Sequence, residues 1–441
     1  MASPIQKLPE GRMNHLQRKI VFTLFFLALY RIGVHIPIPG VDTYALGEFF
    51  RTQGANLFGM FNMFSGGALQ NFSVFALGIM PYISASIISQ LLTVVVPHLE
   101  QLSKEGEAGR KKITQYTRYG TVALAIIQGV MIANTLEKSQ FAGVNLVLTG
   151  GWAWKTMTVI SLAAGTAFVM WLGEQITEKG VGNGISLVIF SGIVAGLPGI
   201  ITNTYSQYTS QQMDLFRILL ICFVCVIVIG GVVFMEQGAR QIPVQYAKRQ
   251  VGRKIYGGQA SHLPIRVNTA GVIPPIFASS LLQFPVTIGA MAPQSVLAEF
   301  INIAFTPGGW LYNAVYISLI VFFAYFYTSI TFKADDVAEN LKKHGGFIPG
   351  IRPGARTADY LHKVLNRLTL VGGIYLSAIC VLPTILAGKL NVQFYFGGTS
   401  LLIVVGVALE TFRQIDAHRQ SLRYDSFLKQ GSGIRPRRGG V

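Results

Sequence analysis

Cys222 and Cys225 form a C-x-x-C, the spacing of dithiol redox pairs and of many metal sites. Here the pair lies in an apolar run with no His or carboxylate beside it, and Cys380 also sits in an apolar run. All three cysteines therefore read as small apolar packing residues, and no disulfide framework is implied. The carboxylates offer no better centre. Glu174, Glu236 and Glu410 stand toward the ends of apolar runs, and no run carries Asp, Glu or His near its middle. Ion-coupled transporters ordinarily need such groups at that depth. No P-loop, H-E-x-x-H, G-x-S-x-G or His-rich cluster occurs. The sequence thus implies no catalytic residue, no metal, no cofactor and no engine. If the chain moves something across a membrane, another protein or the substrate supplies the energy.

What the apolar runs do hold is isoleucine. Ile79 and Ile83 are an i, i+4 pair, as are Ile185 and Ile189, so each pair shares one helix face; Ile273 and Ile403 lie in two further runs. By spacing alone this is ordinary for membrane helices.

The elements that must carry these residues follow from composition. The chain has 441 residues, 51% hydrophobic and 12% charged, with a mean hydropathy of +0.47. Soluble domains carry roughly 25% charged residues, so this is a polytopic all-α membrane protein. Crossing a bilayer takes about 20 apolar residues. Ten spans are expected, near 20–38, 72–96, 116–136, 154–174, 183–203, 214–236, 268–289, 309–331, 369–388 and 395–414. The stretch Phe58–Pro97 is the most unusual. A short apolar segment broken by Gly59, Gly66 and Gly67 stands directly before the second span, and irregular backbone at membrane depth needs protein or a water-filled cavity around it. It reads as a re-entrant or interfacial segment, or as a movable stopper. Arg31 interrupts the first span and is expected to snorkel to the outer interface.

The net charge is +17, and most Lys and Arg fall on one side of the ten spans, the side of both termini. By the positive-inside rule both termini are cytoplasmic. The polar stretches near 237–267 and 333–367 read as large basic cytoplasmic loops, suited to an acidic partner or to phosphate backbones such as ribosomal RNA. Ten spans divide into two halves, 1–203 and 204–441, the second with a cytoplasmic tail at 415–441. Many transport folds arrange two inverted halves around a central site. Glycine-rich lead-ins before the fifth span (Gly180–Gly184) and before the tenth (Phe396–Thr399) stand at matching places in the two halves.

Eight strings carry a resemblance: RIGVHIPIPG, FNMFSGGAL, FALGIMPYISASII, KEGEAGRKKITQYTRYG, MWLGEQITEKGVGNGIS, YAKRQVGRKIYGGQASHLPIRVNTAGVIPPIFASS, FIPGIRPGART and FYFGGTSLLIVVGV. They run in order from the first span to the tenth, and by them the chain resembles the SecY/Sec61-alpha family, the central subunits of protein-conducting channels. The resemblance implies ten transmembrane helices in two pseudo-symmetric inverted halves of five around a central pore, with a plug helix. It implies a plug over about 58–70, including Phe61, Asn62, Met63, Phe64, Ser65, Gly66 and Gly67. It implies a pore ring of Ile79, Ile83, Ile185, Ile189, Ile273 and Ile403. Spans two and three against seven and eight would form a lateral gate, with Ser84, Ile87, Gln128, Asn268 and Phe277 at its seam. Tyr246, Lys248, Arg249, Arg253, Lys254, Arg352 and Arg356 would meet SecA and the ribosome. SecE and SecG are the implied fellow subunits, signal sequences, nascent chains and membrane lipids the further partners, and the bacterial inner membrane the location. Cys222 and Cys225 belong to no motif of the family.

A ring of branched aliphatic side chains offers water and ions no hydrogen bond, so it can dewet and close on a threading chain. A side exit would let apolar segments partition by their own transfer energy, about −0.3 to −0.6 kcal/mol per Leu or Ile at mid-helix. The competing class is a secondary transporter of a small solute, disfavoured by the missing mid-span carboxylates. An intramembrane enzyme lacks any catalytic constellation.

Overall fold

The computed structural model describes residues 10–52, 62, 65–138, 140–141, 144–211, 214–246, 249–251, 254–256, 261–291, 309–390 and 398–431. Thirteen helices lie among them: α1 (Glu10–Val34), α2 (Thr43–Thr52), α3 (Met80–Val95), α4 (Pro97–Lys104), α5 (Glu107–Lys138), α6 (Trp152–Lys179), α7 (Gly184–Thr209), α8 (Leu215–Gln237), α9 (Ile273–Met291), α10 (Trp310–Thr331), α11 (Ala334–Lys343), α12 (Ala355–Leu390) and α13 (Gly398–Gly431). Ten of these, all but α2, α4 and α11, fall where the ten spans are expected. Seven described stretches are long and apolar enough to cross a membrane alone, and the bent pair α3–α4 makes an eighth. The chain is therefore a multi-pass membrane protein.

Two compact units emerge. The first comprises Met1–Gly54, Phe58–Leu197 and Val407–Val441; the second comprises Ala55–Leu57 and Pro198–Gly406. One of the divisions falls inside α7 at Pro198, where a proline removes an i→i−4 hydrogen bond and weakens the helix.

In the first unit, α5 packs on α6 through small residues. Gly129 stands where a Cβ would touch Val159 and Leu162 at ordinary contact distance, the close approach by which membrane helices associate without a hydrophobic driving force. Arg118 of α5 makes two hydrogen bonds to the Glu174 carboxylate of α6, at 2.9 and 2.7 Å. The second span departs from the sequence reading. Apolar character begins by Phe72, but the helix begins only at Met80. Phe72, Gly78, Gly66 and Gly67 all take positive φ, which no helix tolerates. The segment instead pairs with the end of the first span: Ile38 N–H donates to Phe72 O at 2.9 Å and Val74 N–H to Ile36 O at 3.1 Å. At the far end the helix turns by 98° into α4. Val96 is extended, as a residue before proline must be, and Pro97 opens α4.

The first unit also carries a short antiparallel hairpin of β1 (Gln140–Phe141) and β2 (Val144–Asn145). In the second unit, the two polar stretches read from sequence as loops share a sheet. Strand β3 (Ala239–Tyr246) pairs antiparallel with β6 (Ser261–Arg266) and, through Gln245 and Tyr246, with β7 (Gly346–Phe347). Beneath it Ile242, Ile265, Ala334, Ile348, Leu361, Val364 and Leu365 form a buried cluster. The alternating burial along β3 is that of a sheet with one face on a core. A second hairpin joins β4 (Arg249–Val251) to β5 (Lys254–Tyr256). The region from 355 onward, part of the expected loop, is already α12.

Candidate functional site

The stopper segment is held by its own Asn62 and Ser65 side chains and by contacts to its backbone. Asn62 is helical and Ser65–Gln70 are turns; Phe61, Met63 and Phe64 lie outside the described residues. The Asn62 side chain accepts from Gln70 N–H at 2.9 Å, and its carbonyl accepts from Gly67 N–H at 2.8 Å and from the Ser65 hydroxyl at 3.1 Å. Helix α1 then clamps the turn. Tyr30 donates its hydroxyl to Ser65 O at 3.0 Å, and Arg31 donates to Gly66 O at 2.9 Å. The expectation that Arg31 only snorkels to the interface omitted this partner, which lies 35 residues away in the sequence. Gly66 has φ +66, and a Cβ there would stand 2.6 Å from Gly192 Cα of α7. Only glycine fits between the two helices.

The same segment delivers two of the isoleucines. Ile79 precedes the first turn of α3, and Ile83 N–H donates to Ile79 O at 3.1 Å, so the pair does share one face. Both are buried. Asn183 caps α7 by accepting from Ile185 N–H at 3.1 Å, which sets the phase of Ile185 and Ile189; Ile189 is buried and Ile185 half-buried. The glycine-rich lead-in is itself fixed, Val181 N–H donating to Thr23 Oγ1 and Gly182 N–H to Gln414 Oε1. In the second unit Ile273 is the first residue of α9 and is half-buried, while Ile403 of α13 is fully buried. A Cβ at Gly398 would stand 2.0 Å from Ile379 O, so glycine seats the start of α13 on α12.

The seam candidates are described within their own units. Ser84 and Ile87 are buried on α3. The Gln128 side-chain oxygen is buried and has no hydrogen-bond partner among the described residues. Asn268 donates to Glu236 at 2.5 Å and to Gly271 O at 3.1 Å. Glu236 thus serves a polar cluster that the sequence reading passed over. Phe277 stands edge-on to Phe323 of α10 at 5.7 Å.

Of the basic positions, Lys248 and Arg253 lie outside the described residues. Arg249 and Lys254 occupy β4 and β5, where they pair with Tyr256 and Val251. Tyr246 ends β3 beside Gly346, which links the first basic stretch to the second. Arg352 and Arg356 are exposed. The turn that presents Arg352 has Gly350 at φ +81 and Gly354 at φ +107, and the buried Thr357 hydroxyl donates to Arg352 O at 3.0 Å. Among the described residues no group of His, Cys, Asp and Glu could hold a metal.

The profile of the SecY family matches residues 73–412. The protein translocase subunit SecY of Escherichia coli (strain K12) is 49% identical over 427 residues, covering 96% of each chain. A solved structure concerned with the plug domain of the SecY protein, described as stabilising the closed translocation channel and maintaining a membrane seal, superposes with a TM-score of 0.67 at 19% identity; it covers 96% of this chain and 95% of that one. Sec61 in the canine ribosome-channel complex superposes with a TM-score of 0.63 at 17% identity, over 96% and 95% of the two chains.

Proposed function

The chain belongs to the SecY family and is a protein-conducting channel subunit rather than an enzyme; within that frame we propose how its residues divide the work. Unfolded polypeptide crosses through a ring of Ile79, Ile83, Ile185, Ile189, Ile273 and Ile403. The segment around Asn62–Gln70 is the plug. Sufficiently apolar segments leave sideways past Ser84, Ile87, Gln128, Asn268 and Phe277. The translating ribosome or the SecA ATPase supplies the driving force through Tyr246–Lys254, Arg352 and Arg356, with SecE and SecG as fellow subunits. The membrane is the bacterial inner membrane, with both termini cytoplasmic and two pseudo-symmetric halves meeting near residue 203.

One observation carries this reading. The similarity to a SecY translocase subunit spans 96% of the chain, and the segment proposed as the plug is held by carbonyl contacts and turns that can be released without breaking a helix. The test is reconstitution with SecE and SecA in vesicles, followed by protease protection of a presecretory protein. Protection that appears only on ATP addition is the expected result; ATP-independent uptake of a small solute instead would return the transporter reading.

Two predictions arise here. Replacing Ile83 and Ile189 together with Ser should raise ion leakage across planar bilayers while translocation continues, because hydroxyls give water a hydrogen-bond partner in a gate that closes by dewetting. Unchanged conductance removes these residues from the seal. Deleting Asn62–Leu69 should leave export running and relax its demand for a functional signal sequence. A deletion that blocks export outright identifies the segment as a structural core instead.

A further inference from the structure

We infer that Tyr30 and Arg31 are a two-donor latch that holds the plug segment shut and sets how good a signal sequence must be to open the channel. The inference rests on the channel reading above and adds the residues that fix its threshold. Arg31 is half-buried in the apolar α1, next to the fully buried Tyr30. An arginine at such a place needs acceptors. It finds a backbone carbonyl, Gly66 O, on the turn that glycine alone can form against α7. Tyr30 takes the neighbouring carbonyl, Ser65 O, and stacks on Phe75 with ring centroids 5.9 Å apart. Phe75 fills the notch left by Gly33, where a Cβ would stand 1.9 Å from its ring. Asn71 completes the contact by donating to Val34 O at 3.5 Å. Tyr30, Arg31, Gly33 and Val34 of α1 therefore hold the segment at Ser65, Gly66, Phe75 and Asn71.

Both latch bonds run to main-chain oxygens, so they read the shape of the turn and not its side chains. They also break together when the turn leaves, since the two carbonyls are consecutive. Once a water-filled path opens, water replaces both acceptors, so the latch biases the closed state without trapping the open one. The Arg31 bond is charge-assisted and is the stronger of the two.

The test uses the full chain with SecE and SecA. Export of a reporter whose signal sequence carries a charge in its apolar region is compared with export of the same reporter behind an intact signal. Arg31→Met keeps length and apolar packing but removes the donors. It should raise the defective-to-intact ratio roughly tenfold, the scale of one charge-assisted hydrogen bond. Tyr30→Phe should raise it about threefold, the scale of a neutral one. Arg31→Lys, with a single donor head on a shorter reach, should restore part of the stringency. A ratio unchanged in both Arg31→Met and Tyr30→Phe, at normal protein level, overturns the latch. A parallel fall with both signals also overturns it, because it marks a structural role. Where Arg31→Met does not accumulate, the isosteric Tyr30→Phe decides. Failure of the unaltered chain to export even the intact reporter counts against the channel reading instead.

Discussion

Arg352→Glu should cut SecA-driven translocation into vesicles by at least about thirtyfold, the lower end of what losing one partner of a buried charge contact costs, while membrane insertion and protein level stay normal. The side chain is exposed, and its surroundings are rigid. Ile351 N–H donates to Ile348 O at 3.0 Å, and Ile348 is buried in the cluster beneath the sheet. Thr357, itself buried at the start of α12, ties down Arg352 O. Pro353 restricts Arg352 to extended backbone. A guanidinium on so fixed a turn offers five planar donors to carboxylate or phosphate, a geometry that lysine lacks. Arg352→Lys should therefore be partly defective. Thr357→Val separates the turn from the charge: it leaves Arg352 in place, removes the hydroxyl bond, and should give a milder loss than Arg352→Glu. If the Glu variant translocates normally, Arg352 is only one of the basic residues that orient the chain in the membrane.

The sheet that supports Arg352 is absent from the sequence reading, though the signs were there. Ile242 and Val244 alternate with polar neighbours along β3, and Leu263 of β6 sits opposite Ile242. The period-two pattern was short, interrupted by Pro243 and surrounded by charge, so it read as loop. The third strand, β7, is two residues long and comes from the next polar stretch, about 100 positions away; no local pattern announces such a pairing. The spans were legible for the opposite reason. A bilayer imposes one length and one composition on every crossing helix, and α5 to α8 meet both. The start of the second span was misplaced because hydropathy counts apolar side chains and is blind to backbone. Phe72 to Ile79 is as apolar as helix α3, yet two positive φ values keep it in turns. The isoleucine pairs were legible from their i, i+4 spacing, and Gly66 and Gly67 from the break they make in an apolar run. The partners of Arg31 and Asn268 were not, because Gly66 and Glu236 reach them only through tertiary packing.

The same segment makes Gly165 sensitive to a single methyl group. Gly165 lies on α6, and a Cβ there would stand 2.0 Å from Val74 O and 2.8 Å from Val74 C. The obstacle is backbone. It cannot swing aside as a side-chain tip would, and Val74 N–H is already committed to Ile36 O. Relief requires moving the whole 72–79 segment off α6, and that segment stacks Phe72 on Trp154 and Phe75 on Phe168. It also places Ile79 at the head of α3. Overpacking in a yielding site costs about 1–3 kcal/mol; here the upper end or more is expected. Gly129 is the matched control. It lies on α5 against α6, and its Cβ would meet Val159 Cα at 3.6 Å, an ordinary contact. Gly165→Ala should thus lower the thermal midpoint of the detergent-solubilised protein by several degrees and reduce its level in the membrane, while Gly129→Ala should change either little. Material that does accumulate as Gly165→Ala should leak ions, since Ile79 has been displaced with its turn. Equal stability of the two variants would mean that the segment yields to α6 freely and does not fix Ile79 in place.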